Sequence, residues 1–235
     1  MALSVNALTS GVDSDNNSSS TTASISPASN ALVICDVLNF NSDISAPPAT
    51  PTVSGNGLTW QQEATVTYLD LGSGGIFRIT RFRAMGVSPS SGTVSISCGV
   101  AQANITHSIY EISGTDKSGT NGSGAVIQSV TNSTELATSL TATLAAFGSS
   151  NNMAIGVFGY GGEATDFTVG SGFTQIHETT GGVLFSEYKL NDTTVDATNT
   201  DSQAMGAIAS EIKEAANFIT PRKVRKRIIN IRRYY

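Results

Sequence analysis

Residues 88–100, SPSSGTVSISCGV, set a cluster of turn-forming residues directly before a strictly alternating segment. Apolar side chains occupy every second position from Val94 to Val100, and serine or glycine fills each position between them. A period of two is typical of a β-strand that buries one face and exposes the other. This stretch therefore predicts a half-buried strand that follows a turn.

Short apolar or alternating runs recur along the chain, separated by turn segments such as SGNG, GSGG and GTNGSG. About ten to twelve short strands without a clear helical stretch predict two antiparallel sheets packed over a shared core. Closed barrels and jelly rolls give a similar pattern. We favour an all-β, jelly-roll-like antiparallel β-sandwich, because the connections vary in length and a simple meander would not need that. The predicted strands lie at 31–38, 58–69, 75–85, 93–100, 105–113, 139–147, 153–160, 173–178, 183–190 and 203–212.

The chain of 235 residues divides by composition into three parts. Residues 1–30 are rich in Ser, Thr and Asn and contain a possible edge strand, and residues 31–219 form the predicted single β-sandwich domain. Residues 220–235 form an extended basic C-terminal arm. The proline-rich stretch 45–57 is interpreted as a long loop inside the domain, because the strands on both sides share one pattern.

Charge is distributed unevenly between the arm and the rest of the chain. The formal net charge is −5, from 13 Lys and Arg against 18 Asp and Glu. The arm holds seven of these cations and no carboxylate, so residues 1–219 hold six cations, eighteen carboxylates and a net charge of −12. Such asymmetry indicates an electrostatic contact made by the arm. Its basic residues are Arg222, Lys223, Arg225, Lys226, Arg227, Arg232 and Arg233.

The arm also carries apolar and aromatic side chains among its cations. This mixture can pair as a strand and bury apolar area, although a freely solvated tail is the usual state of a charged run. We predict that the arm binds an acidic protein surface or an adjacent copy, and that the protein is a homo-oligomer. Nucleic acid is the less favoured rival partner, and no membrane contact is expected. The additional contact residues are Ile228, Ile229, Ile231, Tyr234 and Tyr235.

No catalytic motif is evident in the sequence. The nucleophile elbow of many serine hydrolases reads G-x-S-x-G, and no serine here has glycine at both required positions. His107 and His177 each lie in an alternating pattern and are interpreted as ordinary strand residues. The sharper alternatives are a general base, a metal pair, or joint action of His177 with Glu178. We predict a non-enzymatic protein without catalytic residues, metal or cofactor.

Acidic side chains could carry chemistry in two other ways. Distant strands can bring together paired carboxylates for glycoside hydrolysis, but nothing in the sequence selects a pair. The stretch DSDNNS, residues 13–18, resembles the start of an EF-hand loop. Calcium binding is not expected there, because Ser18 and Ser24 replace the glycine and glutamate that such a loop needs. The candidate carboxylates are Glu63, Asp70, Glu111, Glu163 and Asp166.

Cys35 and Cys98 lie in separate apolar or alternating runs, which predicts buried free thiols and leaves a disulfide open. Trp60, the single tryptophan, is expected to anchor the core with its indole N–H bonded to a carbonyl; sugar stacking is the alternative. The start of the chain lacks the basic and apolar regions of a signal peptide. We therefore expect synthesis and folding in a cytoplasm.

Several segments resemble a loosely defined group of β-sandwich proteins found in tailed bacteriophages. The shared order is an apolar strand, a turn leading to Trp, an E-x-S-G strand with a small-residue loop, and a late GFT strand, over about residues 25–215. The resemblance implies a virion component, such as a capsid decoration protein or a tail-associated adhesin that binds a host glycan. It transfers no catalytic residues. The matching segments are NALVICDV, TPTVSGNGLTW, SGTVSISCG, YEISGTDKSGTNGSGAVIQS, SLTATLAAFGSSNNMAIGVFGY and GSGFTQIHE.

Overall fold

A computed structural model describes residues 2–42, 47–70, 72, 74–161, 167–179 and 184–216. Every regular element in these residues is a β-strand, which confirms the predicted all-β class. The described part of the chain contains no helix of the length and apolarity needed to span a membrane. The strands are β1 (Ser4–Asp13), β2 (Ser19–Thr21), β3 (Leu32–Asn41), β4 (Thr52–Gly55), β5 (Gln61–Asp70), β6 (Gly75–Ala84), β7 (Val94–Ser97), β8 (Asn104–Ser113), β9 (Val126–Thr143), β10 (Met153–Tyr160), β11 (Phe167–Thr168), β12 (Thr174–Glu178), β13 (Leu184–Leu190) and β14 (Thr194–Ile212).

The strands form two main antiparallel sheets and one small sheet. The front sheet has the order β1-β8-β3-β6-β5. In the back sheet β14 pairs with β9, β10 and the short β11, and the order continues from β10 through β13 to β12. The small sheet has the order β2-β7-β4. Most neighbours are distant in sequence, as expected for a jelly-roll-like sandwich and not for a meander.

The front and back sheets bury the main core between them. At one end of the sandwich Ile34 of β3 belongs to the same cluster as Ile155 of β10. At the other end Ile79 of β6 packs with Val157 of β10. We call the first the exit end, because β14 finishes there at Ile212, and the second the loop end, because β3, β5, β10 and β12 all finish there.

Two glycines in the back sheet allow a close approach of the front sheet at the loop end. A Cβ atom on Gly206 of β14 would lie 2.4 Å from the ring of Tyr68, and one on Gly159 of β10 would lie 2.6 Å from its hydroxyl oxygen. Real Cβ atoms do not approach other heavy atoms so closely. The Tyr68 ring therefore lies in a space that only glycine leaves open.

The outer faces of both main sheets are also covered. The small sheet places Val94 and Ile96 against Phe82 of the front sheet. On the other side, β9 and β14 form a long ribbon that folds over the back sheet, so that Leu140 and Val195 cover Phe158 and Phe185. These layers explain why so many strand positions are buried on both faces.

Side-chain hydrogen bonds hold the ribbon in its folded shape. Gln128 donates to the Ala145 carbonyl at 3.1 Å and accepts from the Ala145 N–H at 2.9 Å. Asn132 donates to the Thr141 carbonyl at 2.7 Å. The pairing of β9 with β14 shifts register between Thr198 and Gln203, where the ribbon bends. We call residues 134–138 and 199–203 the elbow of the ribbon.

Two features of the sheets differ from the sequence prediction. In the ribbon the sequence predicts only the strands at 139–147 and 203–212. The additional strand segments are rich in Thr, Asn and Ser, and only Val195 and Ala197 give one of them a short apolar face. The proline-rich stretch predicted as a loop contains β4, an edge strand of the small sheet. Pro51 directly precedes β4, where its missing N–H removes no ladder bond.

The cysteines and the tryptophan lie as expected. Cys35 and Cys98 are free and buried, which confirms the predicted thiols. Trp60 is half-buried against the cluster beneath the small sheet, and its indole N–H points to the Gly55 carbonyl at 3.4 Å. Burial raises the pKa of the Cys35 thiol well above its ordinary value and that of Cys98 to about 11.

Both thiols are expected to resist alkylation in the folded protein at pH 8, because they are buried and protonated. After unfolding in denaturant without reductant, both should react. Mass spectrometry of native and unfolded samples treated with iodoacetamide measures the two states. A requirement for reductant before any reaction would instead show a disulfide between Cys35 and Cys98.

Candidate functional site

The described chain ends at the exit end in an extended segment that is bonded to the body. Lys213 donates its N–H to the Ala125 carbonyl at 2.8 Å, and its own carbonyl accepts from the Asp116 N–H at 3.0 Å. The Ala215 N–H then donates to the Gly114 carbonyl at 2.8 Å. We call residues 213–215 the root of the arm; they form a short β-like extension that is bonded to the body at a defined place.

An ion pair strengthens this root. Lys213 Nζ lies 2.6 Å from a carboxylate oxygen of Asp116. The hydrogen bond from Lys213, with a further one from the Ser118 N–H, lowers the pKa of Asp116 to about 2. Asp116 therefore keeps its charge below the pH at which an ordinary aspartate takes up a proton. The twelve predicted contact residues of the arm, from Arg222 to Tyr235, lie outside the described residues.

The body uses most of its own cations internally. Ion pairs join Arg81 to Asp36 at 2.7 Å, and Arg83 to Glu63 at 2.6 Å. Lys189 pairs with Asp192 at 2.6 Å, while Arg78 donates to the Pro48 carbonyl at 2.9 Å. With Lys213 also paired, Lys117 is the one cation of residues 2–42, 47–70, 72, 74–161, 167–179 and 184–216 for which the structure shows no such bond. The excess carboxylates of the body are therefore not neutralised by its own side chains.

A buried polar network links the front and back sheets. Arg81 donates to both carboxylate oxygens of Asp36, at 2.7 and 3.0 Å, and both side chains have no exposed surface. Tyr110 donates to Asp36 at 3.1 Å, and Arg81 donates to the Ser210 hydroxyl on β14 at 2.9 Å. Burial alone lowers the pKa of Arg81, but Asp36 and Tyr110 together raise it above its ordinary value. This network holds the sheets together and leaves no ligand-accessible surface.

The histidines do not form a catalytic pair. His177 Nδ1 lies 2.9 Å from the Ser108 hydroxyl, which also contacts the Ser186 hydroxyl at 3.1 Å, but both serines are fully buried. Glu178 accepts from the Phe167 N–H and does not bond to the neighbouring His177 ring. Burial lowers the pKa of His177. The contact between Ser108 and His177 therefore joins β8 to β12 beside β13 and has a packing role.

His107 is a separate buried side chain on the other face of β8. Neither of its ring nitrogens has a hydrogen-bond partner. Burial and the nearby His177 lower its pKa to about 4, so the ring is neutral at neutral pH. Its place beside Gly11 of β1, where an added Cβ would contact the ring at 2.9 Å, fits a packing role. The strand interpretation of both histidines agrees with these contacts.

The candidate carboxylates are engaged in separate parts of the fold. Glu63 holds Arg83, Asp70 accepts from the Gly72 N–H at 2.9 Å, and Glu111 accepts from the Ala28 N–H at 2.7 Å. Glu163 and Asp166 lie outside the described residues. The described residues therefore bring no two of these candidates together across a cleft.

The stretch that resembles an EF-hand loop forms a local turn. Asp13 accepts from the Asp15 N–H at 3.1 Å and from the Asn17 amide at 3.0 Å. These bonds use the carboxylate that a calcium ion would need. Within the described residues, no three His, Cys, Asp or Glu side chains are grouped so that they could hold a metal ion.

Glu187 is a buried carboxyl group that sequence reasoning missed. It is fully buried on β13, accepts from the Gly170 N–H at 3.0 Å, and has a second oxygen without a hydrogen-bond partner. Burial, with a smaller contribution from Asp196, raises its pKa to about 8. The signal in the sequence was its position two residues after Phe185, which places both side chains on one face of the strand.

No protein-family model matches this sequence, and the searches of curated proteins and of solved structures found no match either.

Proposed function

We propose that the protein is a non-enzymatic structural subunit of a bacteriophage particle, a capsid decoration or tail-associated protein, anchored to neighbouring subunits by residues 222–235. The observation that carries the anchoring role is the separation of charge between arm and body. The arm has seven cations and no carboxylate of its own, whereas the body pairs most of its cations internally and keeps excess carboxylates. The particle setting rests on the resemblance of the sequence motifs.

The geometry of the arm root supports an assembly role. Hydrogen bonds to residues 114–125 and the Lys213–Asp116 ion pair hold the chain up to Ala215 against the exit end. An arm that starts from a fixed point loses less conformational freedom when it binds than one that starts from a mobile linker. Attraction between a basic arm and an acidic surface also speeds association and sets its register.

The buried groups support a structural protein over an enzyme. Among the described residues, the Asp36–Arg81 pair, Ser108 and Glu187 are all enclosed by the sheets. A catalytic group has to reach its substrate within hydrogen-bond distance. These side chains would need the sandwich to open first, so they fit a role in the core.

Deletion of residues 222–235 is expected to lower incorporation into particles by at least about tenfold, which corresponds to about 1.4 kcal/mol of lost binding free energy. The thermal unfolding midpoint should change little, because residues 3–212 form the buried clusters of the sandwich among themselves. Quantitative immunoblotting of purified particles measures incorporation, and calorimetry measures unfolding. Normal occupancy of the truncated protein would show that the arm is not the anchor.

The salt dependence of arm binding distinguishes a protein partner from packaged DNA. Seven cations on phosphates would lower the binding constant by about three to four orders of magnitude between 50 and 200 mM salt. A contact that also buries Ile228, Ile229 and Ile231 should lose far less. Titration of the full chain against duplex DNA and against particle proteins at both concentrations measures the two dependences.

A carbohydrate-binding adhesin is the second candidate, supported by the arrangement of the loop end. Strands β3, β5, β10 and β12 all finish at this end, opposite the arm root. Loops grouped on a rigid β scaffold are common binding sites. Retention of one sugar class on a glycan array would favour this candidate, and turnover of bacterial surface polysaccharide would contradict both.

A further inference from the structure

A cleft runs between the free edge of β5 and the elbow of the ribbon. Its volume is about 450 Å³, and it is lined on the β5 side by Thr67, Leu69 and Ile76, with Ile76 contributed by β6. Ser133 and Glu135 of β9 line the opposite side. The cleft therefore lies where the edges of the front and back sheets come together toward the loop end.

The edge of β5 offers unpaired backbone groups to this cleft. β5 is the last strand of the front sheet, so among the described strands only β6 pairs with it. Such an edge presents N–H and C=O groups to which an extended segment can add as a further strand. An occupant of this cleft would thus satisfy backbone hydrogen bonds as well as side-chain contacts.

The side chains of the cleft complement the arm. Leu69 and Ile76 are half-buried and offer apolar surface, while Glu135 is exposed and forms no ion pair with the described residues. Asp201, on the other strand of the elbow, is also exposed and has no ion pair within that part of the chain. The arm combines the matching groups, because residues 224–233 contain both aliphatic side chains and cations.

The direction of β14 favours a second copy as the source of the arm. Thr134, at the cleft, faces Met205, and β14 runs from there to Ile212 at the exit end, a distance of about 23 Å at 3.3 Å per residue. Residues 213–215 continue beyond it along 114–116. Up to Ala215 the chain therefore runs away from its own cleft.

The length of the remaining chain suffices for a neighbour. Residues 217–235 are 19 residues, which can extend over about 65 Å. A compact domain of this size has a radius of gyration of about 17 Å. The arm can therefore cross from the exit end of one body to the cleft of an adjacent one without a reversal of direction.

We propose that residues 222–235 of one copy lie along β5 in the cleft between β5 and the elbow of a second copy. This inference rests on the proposed anchoring role of the arm and specifies the partner of the arm and the site where the arm binds. Because the arm root and the cleft are different surfaces, the contact is head-to-tail and produces a ring or an open filament of copies.

Disulfide trapping between full-length chains tests the proposal. One preparation carries Ser133→Cys in the cleft, and a second, mass-tagged preparation carries Ile229→Cys in the arm. Ser133 is exposed, so the change from hydroxyl to thiol should leave the fold intact, and the native thiols are buried. Ser95→Cys, at an exposed position on β7, replaces Ser133→Cys in the matched control.

At about 10 µM of each chain, docking raises the effective thiol concentration toward millimolar, so the cross-link between tagged and untagged chains should form on the order of 100-fold faster than in the Ser95→Cys control. Adding Glu135→Lys to the Ser133→Cys chain should slow formation of the cross-link, whereas adding Asp15→Lys should not. Equal cross-linking rates for Ser133→Cys and Ser95→Cys would overturn the proposed binding site of the arm. A double variant carries Ser133→Cys and Ile229→Cys in one chain. If its cross-link forms only within single chains, the arm in the cleft does not come from a second copy.

The two proposals fail in different ways. If the cross-link is absent while arm deletion still removes the protein from particles, the arm binds elsewhere and only its proposed binding site is wrong. If the cross-link forms while the deletion variant is incorporated normally, the arm joins copies but does not anchor the protein, and the proposed function is wrong.

Discussion

Replacement of Asp36 by alanine is expected to destabilise the folded protein by about 3–5 kcal/mol, the usual cost of leaving one charge of a buried pair without its partner. Arg81 would keep its charge in a site with no exposed surface, and the remaining contacts, to Ser210 and Tyr110, are neutral. Unfolding in urea at pH 7, followed by circular dichroism, measures the change in the free energy of unfolding.

An exposed ion pair supplies the control for this prediction. Asp192→Ala removes the partner of Lys189, and both side chains of that pair are partly exposed, so the expected loss is about 0–1 kcal/mol. The double variant Asp36→Leu, Arg81→Met should recover much of the stability lost in Asp36→Ala, because it removes both buried charges. A loss for Asp36→Ala no larger than that for Asp192→Ala would contradict the assigned role of the network.

Replacement of Glu187 by glutamine is expected to stabilise the protein at pH 8 and above and to remove much of its pH dependence. The pKa of Glu187 is about 8 in the folded protein, against an ordinary value of 4.5. The folded state therefore holds its proton where the unfolded state has lost it, and stability falls as the pH rises from about 4.5 to about 8. At 1.36 kcal/mol per unit of pKa, the loss over this window is at most about 5 kcal/mol.

Glutamine keeps an oxygen that can accept from the Gly170 N–H and carries no charge at any pH. Chemical unfolding at a series of pH values from 4 to 9 should therefore show a falling curve for the wild type and a flatter one for Glu187→Gln. Glu135→Gln, at an exposed position, is the matched control and should follow the wild type. Parallel curves for wild type and Glu187→Gln would show that Glu187 is ionised in the folded protein at neutral pH.

The local patterns predicted much of the fold because most strands have an apolar face. The alternation around Ile96 and the apolar run around Ile34 both mark strands that the structure contains. The N-terminal half of β9 escaped prediction because its threonines, asparagines and serines lie at an exposed edge. Such a strand is stabilised by its pairing with β14, and a period of two in hydrophobicity does not report pairing.

Only part of the candidate site could be predicted from the sequence. Composition alone showed the concentration of cations in residues 222–233 and the acidic excess elsewhere. That the arm root is bonded to Asp116 and that a cleft lies beside Glu135 depends on contacts between segments far apart in the chain. No spacing rule relates these positions, because each contact follows from how separate strands are placed in the sheets.

By itself the sequence determined the all-β class, the separation of charge and the burial expected for Cys35 and Cys98. These properties depend on composition and on the alternation of side chains within single strands. Only the tertiary structure decided that Asp36 meets Arg81, that Glu187 is enclosed in the core, and that the ribbon folds over the back sheet. The reason is physical: alternation specifies which face of a strand is buried, whereas the partner across that face is chosen by sheet order, register and the space left between the layers.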